Sequence, residues 1–305
     1  MPMLTRRSYL ALSAAALALP RAGFAADRLT LGDAEIVALS DGHLVLPSEF
    51  LLSLAPQDEL ADLPDDIGLD LSQPLTPPCN ITLMRSGDRT VLFDCGAGST
   101  FMPTVGRLQD ALDAEGLAPG DITDVVFTHA HPDHLWGVLD DFDEPLFLNA
   151  VHRMGRVEHG YWTDPDTVES IGEARASFAA GAARRLSAVD DRVELFEDGA
   201  EVLPGVTAMM TPGHTPGHMA FVLSSGNATA MVIGDAAAND HVAVARPAWP
   251  SGADQDPQIG AATRVRLLDM LATDGMTAVG FHMGGGGVGR IERADERGYR
   301  FVTDL

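Results

Sequence analysis

The sequence predicts an α/β protein in which two β-sheets carry helices on their outer faces. Two observations lead there. The chain has 305 residues, 46% of them apolar, enough to bury a full core in one large domain or two small ones. Apolar runs of strand length come first in pairs and then interleaved with helix-length segments.

Element by element, Leu29–Leu39 and Leu44–Leu46 read as strands. The acidic, proline-dotted segment from Pro56 to Pro78 reads as a long surface loop. Ile81–Met84 and Val91–Phe93 flank the turn SGDR as a hairpin, which brings Cys79 and Cys95 near one another. In PTVGRLQDALDAEG, Pro103 opens a helix with Val105, Leu108 and Leu112 on one face. ITDVVF (122–127) is a buried strand, and Val168–Leu186 a helix rich in alanine and arginine. Short strands follow at Val193–Phe196, Val206–Met210, Ala220–Leu223 and Ala230–Ile233. A helix over Ala261–Leu271 and a last strand, Ala278–Phe281, complete the pattern.

Composition narrows the function. The formal net charge is −24, and every basic residue is arginine. Without lysine there is no Schiff-base chemistry and no phosphate-binding P-loop, and a polyanion such as nucleic acid would be repelled. Residues 1–25 read as a twin-arginine (Tat) signal peptide: the pair in TRRSYL, the short apolar run ALSAAALALP, then small residues near Ala25. Its removal takes three arginines and no acid, and moves the formal charge to −27. The expected product is a periplasmic protein with no membrane span, residues 26–305, exported already folded and metal-loaded. Two cysteines cannot form a disulfide framework; an oxidising compartment permits a bridge, but a small buried side chain is the preferred role for each.

The stretch FTHAHPDHLWG (127–137) carries the chemistry. His129 and His131 are two apart just beyond a strand, so both point to the same side and reach one cation. Pro132 turns the chain, and Asp133 with His134 can face a second cation. One cation needs three or four ligands, so more must come from elsewhere. His214 and His218 in TPGHTPGH, Asp235 in MVIGDAA and His282 in AVGFHMGGGG each follow an apolar strand. His43, His152, His159 and His241 lack that placement and are taken as surface residues. SDGH (40–43) reads as a turn, and GGGGVG, with no lysine after it, as flexible backbone beside the site.

DCGAG (94–98), THAHPDH (128–134), TPGHTPGH (211–218), GD (234–235) and FH (281–282) together resemble the metallo-β-lactamase superfamily. The resemblance covers nearly all of the chain after residue 25 and implies one αββα sandwich with a dinuclear site. His129, His131 and His214 would hold the first metal, and Asp133, His134 and His282 the second, with Asp235 bridging. His218 would support the loop behind these ligands. Two cations sharing a hydroxide lower its pKa and polarise the bond it attacks, with Asp133 and Asp235 as the catalytic carboxylates. Zinc is the default; manganese, iron or cobalt also suit a mixed nitrogen and oxygen set.

Within the superfamily, Asp235 stands where β-lactamases carry cysteine, and Ala238 where the small homoserine lactonases carry tyrosine. The chain is most similar to the methyl parathion hydrolase branch, through LGDAEIVALSDGHLVLP (31–47), FMPTVGRL (101–108), HAHPDHLWG (129–137), HTPGH (214–218) and GYRFV (298–302). That similarity implies hydrolysis of a small organophosphate triester, lactone or carboxylic ester, with Phe101 and Trp162 lining the pocket. The segment MGGGGVGR after His282 is more glycine-rich than in that branch. The alternatives are a lactonase or esterase with incidental phosphotriesterase activity, and a metal-binding protein without turnover. A homodimer is left open. For the leader, replacing Arg6 and Arg7 together by lysine is expected to strand the precursor in the cytoplasm; normal periplasmic accumulation would refute the signal assignment.

Overall fold

In the computed structural model, which describes residues 27–60, 70 and 72–303, strand periodicity sets the layers. The first sheet runs β1 (Arg28–Leu31), β2 (Ala34–His43), β3 (Pro78–Ser86), β4 (Arg89–Phe93), β5 (Asp124–Val126), β6 (Val151–Gly155), β7 (Val193–Phe196), in sequence order. Its first four strands pair antiparallel and β4 to β7 pair parallel. The second sheet runs β8 (Glu201–Leu203), β9 (Val206–Met210), β10 (Met219–Ser225), β11 (Ala228–Gly234), β12 (Thr277–Gly280), β13 (Val288–Arg293), β14 (Tyr299–Val302). Only β11 and β12 pair parallel there.

Successive residues of a strand face opposite sides. On β2, Ile36 and Ala38 enter the core between the sheets, while Val37 and Leu39 enter the outer core. Between the sheets, Ile36, Phe93 and Val126 meet Phe221, Val232 and Val279, with the Phe93 and Phe221 rings 5.4 Å apart. On the outer face of the first sheet, Ile81 and Leu83 pack under Leu108 and Leu112 of α2 (Leu108–Ala114) and Leu186 of α6 (Ala176–Ala188). On the far side, Ala220, Met231 and Ala278 pack under Leu267, Leu268 and Leu271 of α8 (Pro257–Asp274). Each buried leucine, isoleucine, valine, phenylalanine or methionine among them contributes ~1.5–3 kcal/mol. The result is an αββα sandwich, as the sequence predicts. The remaining helices are short: α1 (Ser48–Leu52), α3 (Pro132–Leu135), α4 (Arg156–Thr163), α5 (Thr167–Ser170) and α7 (Val242–Ala245).

Several elements differ from expectation. Leu29–Leu39 is two strands, because Gly32 and Asp33 turn the chain so that Leu31 pairs with Ala34. The helix expected from Pro103 begins at Leu108, after an irregular approach whose Gly106 and Leu108 N–H groups donate to the Asp41 carboxylate. The helix expected over Val168–Leu186 breaks at Gly172, whose φ of 94° no helix accommodates, and resumes at Ala176. Leu44–Leu46 supplies a single bridge, Leu46 to Leu75. β13 and β14 follow the strand expected to be last. The signal-peptide assignment and part of the Pro56–Pro78 loop lie outside the described residues. Cys79 and Cys95 are both buried free thiols, not a bridge. Among the described residues no helix is long and apolar enough to cross a membrane.

His152, expected at the surface, is fully buried on β6, stacked on Phe127. The parallel pairing of β6 between β5 and β7 leaves its inward positions no route to water. Neither ring nitrogen has a hydrogen-bond partner, and burial, with Arg192 adding to it, pulls its pKa down to about 4. The unfolded chain therefore binds this proton near the ordinary histidine value, whereas the folded one refuses it until about pH 4. Stability is full above that ordinary value and drains as pH falls through 4, by about 3 kcal/mol in all. Urea midpoints at pH 7 and 4.5 should converge more closely in His152→Leu than in the wild type; equal losses in both would rule this histidine out as a source of acid sensitivity.

Candidate metal centre

The ligand-type residues leave the strands side by side. In the parallel pair β11–β12, Gly234 is in register with Gly280, so Asp235 and His282 emerge next to each other at the same edge. β5 delivers Thr128 to Asp133 to that edge from the first sheet, and β9 leads to His214. The turn from β11 into Asp235 needs glycine. Gly234 has φ 49°, and a Cβ there would sit 2.6 Å from the His218 ring nitrogen.

The geometry brings all seven predicted ligands together, each almost wholly buried. His129, His131 and His214 present nitrogens within 4.8 Å of one another, with His131 Nδ1 2.8 Å from His214 Nε2. Asp235 lies at the centre. Its Oδ2 is 3.3 Å from both His214 Nε2 and His282 Nε2, and its Oδ1 is 3.4 Å from His134 Nε2. Asp133 Oδ2 is 3.2 Å from His282 Nε2 and 3.6 Å from His134 Nε2.

Outer partners fix which nitrogen faces inward. His134 Nδ1 donates to Asp94 Oδ2 at 2.8 Å, and His282 Nδ1 donates to the Pro78 carbonyl at 2.7 Å. The Thr128 hydroxyl donates to Asp94 and so accepts from His129 Nδ1 at 3.0 Å. With Nδ1 engaged, each of these rings aims an Nε2 lone pair at the centre. His218 stands behind them. Its Nε2 accepts the backbone N–H of Asp235 at 2.9 Å, and its Nδ1 bonds the Thr211 hydroxyl at 2.7 Å.

The residues fit cations. His129 Nε2, His134 Nε2, Asp133 Oδ2 and Asp235 Oδ1 are buried without a hydrogen-bond partner, a costly arrangement unless a ligand satisfies them. Burial, together with neighbouring imidazoles, holds His129 and His131 well below the usual histidine value, so both are neutral with lone pairs free. Burial opposes charge at Asp235 too, yet His282, His134 and His214 hold its carboxyl well below the usual range. Burial would also lower His134, but Asp235, Asp133 and Asp94 push it up to about 10. Positive charge is demanded where Asp133 and Asp235 converge, which a divalent cation supplies.

Of the two aromatics assigned to a pocket, Trp162 is 1% exposed, so it offers no surface to a ligand. Its ring packs 5.6 Å behind His131, and its indole N–H donates to Glu158. Phe101 is half-buried against Trp136 and Phe178; Phe178, which sequence reasoning passed over, lies 6.0 Å from His131.

Sequence reasoning also missed the buried acids that hold the ligand loops. Asp94 in DCGAG takes the left-handed φ of 66°, and its carboxylate accepts from Thr128 N–H, Thr128 Oγ1 and His134. Asp41, read as part of a turn, is buried at the end of β2 and accepts from Ala97, Gly106 and Leu108. Asp254 Oδ1 lies 3.4 Å from His214 Nδ1, with Arg264 on its other oxygen. Glu158 on α4 joins both histidine loops: Oε1 accepts from Ala130 N–H and Trp162 Nε1, and Oε2 from the Thr215 hydroxyl and Gly217 N–H. An acid just past a strand could have marked Asp94; Glu158 carries no local signal. Because an amide offers only one accepting oxygen, Glu158→Gln sets N–H against N–H on one side. It is expected to lose ~2–4 kcal/mol in urea unfolding and to weaken metal binding ~10–100-fold. Wild-type values for both would remove Glu158 from this role.

Comparison with known proteins completes the picture. The sequence pattern of the metallo-beta-lactamase superfamily matches residues 76–282. The N-acyl homoserine lactonase AttM of Agrobacterium fabrum (strain C58) is 29% identical over 144 residues, covering 45% of this chain and 51% of that protein. AttM of Azorhizobium caulinodans is 34% identical over 113 residues, covering 36% and 39%. The chain thus spans about half, or less, of these curated relatives. Among solved structures, the dizinc quorum-quenching lactonase AidC superposes with a TM-score of 0.85 at 24% identity, over 92% of this chain and 97% of that one. The hydrolase AbOPH superposes with a TM-score of 0.84 at 24% identity, over 92% and 98%. These two likenesses establish the fold, and the match over residues 76–282 the family: the chain belongs to the metallo-beta-lactamase superfamily.

Proposed function

We propose that the protein is a dinuclear metal-dependent hydrolase that opens small lactones and related esters. The observation that carries it is Asp235, one carboxylate lying 3.3–3.4 Å from three imidazoles that belong to two ligand sets. A carboxylate has two oxygens and can serve both cations at once. His129, His131 and His214 would hold one of them, and Asp133, His134 and His282 the other. Two divalent cations supply Lewis acidity and a nucleophile from water at neutral pH, with zinc the default.

The chain's own residues do the rest. Asp94, Pro78 and Thr128 keep His134, His282 and His129 in the ligating orientation. Asp133 would orient the attacking water as well as hold a cation, since a carboxylate has two oxygens. A cavity of about 260 Å³ reaches Pro78, whose carbonyl holds His282, and is walled by apolar Leu51, Leu52, Leu75 and Val242 and by polar Thr76, Asn239, Asp240 and His241. The mixed lining suits a small ester that has a polar head and a hydrocarbon arm. A lactone is the preferred substrate because curated relatives are named N-acyl homoserine lactonases. Phosphotriesters, suggested by sequence similarity to the methyl parathion hydrolase branch, are the second candidate. We propose export through the twin-arginine route on the strength of residues 5–25.

The test combines metal counting with turnover. Protein purified without chelator should carry about two metals per chain and hydrolyse at least one member of a panel of lactones, aryl esters and phosphotriesters, with chelator abolishing it. Asp235→Asn keeps the shape and removes the charge, so occupancy should fall and turnover drop by at least ~100-fold. Exposed Asp88 at the β3–β4 turn serves as the control, and Asp88→Asn should keep full activity. Near-wild-type turnover in Asp235→Asn with both metals bound would mean that the bridge lies elsewhere. A two-metal protein inert across the panel would instead be a binding protein.

A further inference from the structure

We propose that Cys79 is a metal ligand: its thiolate joins Asp133 and His282 on the second cation. The inference rests on the dinuclear reading above and deepens it.

β3 begins against the end of β12, where Asn80 N–H donates to the Phe281 carbonyl at 2.9 Å. Pro78, immediately before Cys79, accepts from His282 Nδ1 and so turns His282 Nε2 inward. Cys79 Sγ, an Asp133 carboxylate oxygen and a His282 ring nitrogen lie within 4.8 Å of one another, and all three residues are buried. A cation at their centre would be reached by each with small side-chain adjustments, since zinc takes sulfur at ~2.3 Å and nitrogen or oxygen at ~2.0–2.2 Å. A second observation is independent of the thiol. Asp133 Oδ2 is buried and has no hydrogen-bond partner, so one face of this triad lacks something positively charged.

Cys95 provides the contrast within the same chain. It is equally buried, but its Sγ contacts the carbonyls of His134 at 3.4 Å and Leu135 at 3.3 Å, which satisfies a thiol donor and offers a cation no further ligand. The two cysteines therefore differ in chemistry although both are buried, Cys79 at the start of β3 and Cys95 just past β4. Coordination displaces the Cys79 proton to solvent and adds a third anion beside Asp133 and Asp235. A thiolate selects a borderline-soft ion, so the second position, otherwise rich in carboxylate, should favour zinc or cobalt over manganese or magnesium.

Cobalt(II) reads this directly, because a thiolate ligand gives an intense near-ultraviolet charge-transfer band that nitrogen and oxygen ligands do not. Full-length mature protein reconstituted with cobalt(II), its metal content measured on the same sample, should show the band. It should persist in Cys95→Ala and vanish in Cys79→Ala and Cys79→Ser. As the chain has only two cysteines, the band in Cys95→Ala assigns it to Cys79 even if both Cys79 variants fail to fold. No band in the cobalt-loaded wild type overturns the proposal, as does a band that survives in Cys79→Ala. Two bound cobalt ions without the band reject the thiolate alone, whereas a single bound ion rejects the dinuclear reading, with the band still deciding whether Cys79 ligates it.

Discussion

Everything at this site depends on keeping four imidazole and carboxylate atoms buried, converging and unsatisfied. In a low-dielectric interior such an arrangement is unfavourable by several kcal/mol unless cations complete it. The protein cannot relax away from it, because each ring is pinned from behind. Asp94 holds His134, the Pro78 carbonyl holds His282, and Thr128 holds His129. Asp235 is held through its backbone, by the ring of His218. The inner atoms therefore face the centre with little freedom, and a cation bound there encounters an assembled set of donors rather than assembling one.

That preorganisation is inherited from the sandwich. Parallel β11 and β12 place Asp235 and His282 at adjacent strand ends, and parallel β4 and β5 do the same for Asp94 and the segment leading to Thr128. The two pairs belong to different sheets, pressed together through Phe93, Val126, Phe221 and Val279. The apolar core between the sheets thus sets the distance between the two halves of the site. Shifting either sheet would misalign ligands that no loop rearrangement could restore.

Around the centre, buried acids act as anchors. Glu158 accepts four hydrogen bonds and joins the loop carrying His129 and His131 to the loop carrying His214. Asp41 does the same for the segments after β4 and before α2. Each carboxylate is fully buried, and each is tolerated because hydrogen-bond donors surround it, all backbone N–H at Asp41 and half of them backbone N–H at Glu158. Stability and function are coupled there, since the groups that satisfy these acids belong to the loops that present the ligands.

Much of this was legible in the sequence. Histidines and aspartates just past apolar strands mark the candidate ligands, because a strand end is where a polar side chain can enter a buried site without disrupting a sheet. Strand runs at 193–196, 206–210, 220–223 and 230–233 could be read from apolar periodicity alone. Positions governed by distant partners could not. His152 looks like any surface histidine until β5 and β7 close over it, and Trp162 looks like a pocket aromatic until Glu158 draws its N–H inward. The breaks at Gly32–Asp33 and Gly172 depend on pairing and backbone angle rather than on composition. Cys79 and Cys95 are alike as letters, each at the edge of an apolar run. Only the approach of β3 to β12 sets one thiol beside Asp133 and His282 and leaves the other against two carbonyls. The sequence by itself determined which side chains can bind a cation, through their chemistry. The tertiary structure decided which of them meet, because meeting depends on sheet register and on packing between residues far apart in the chain.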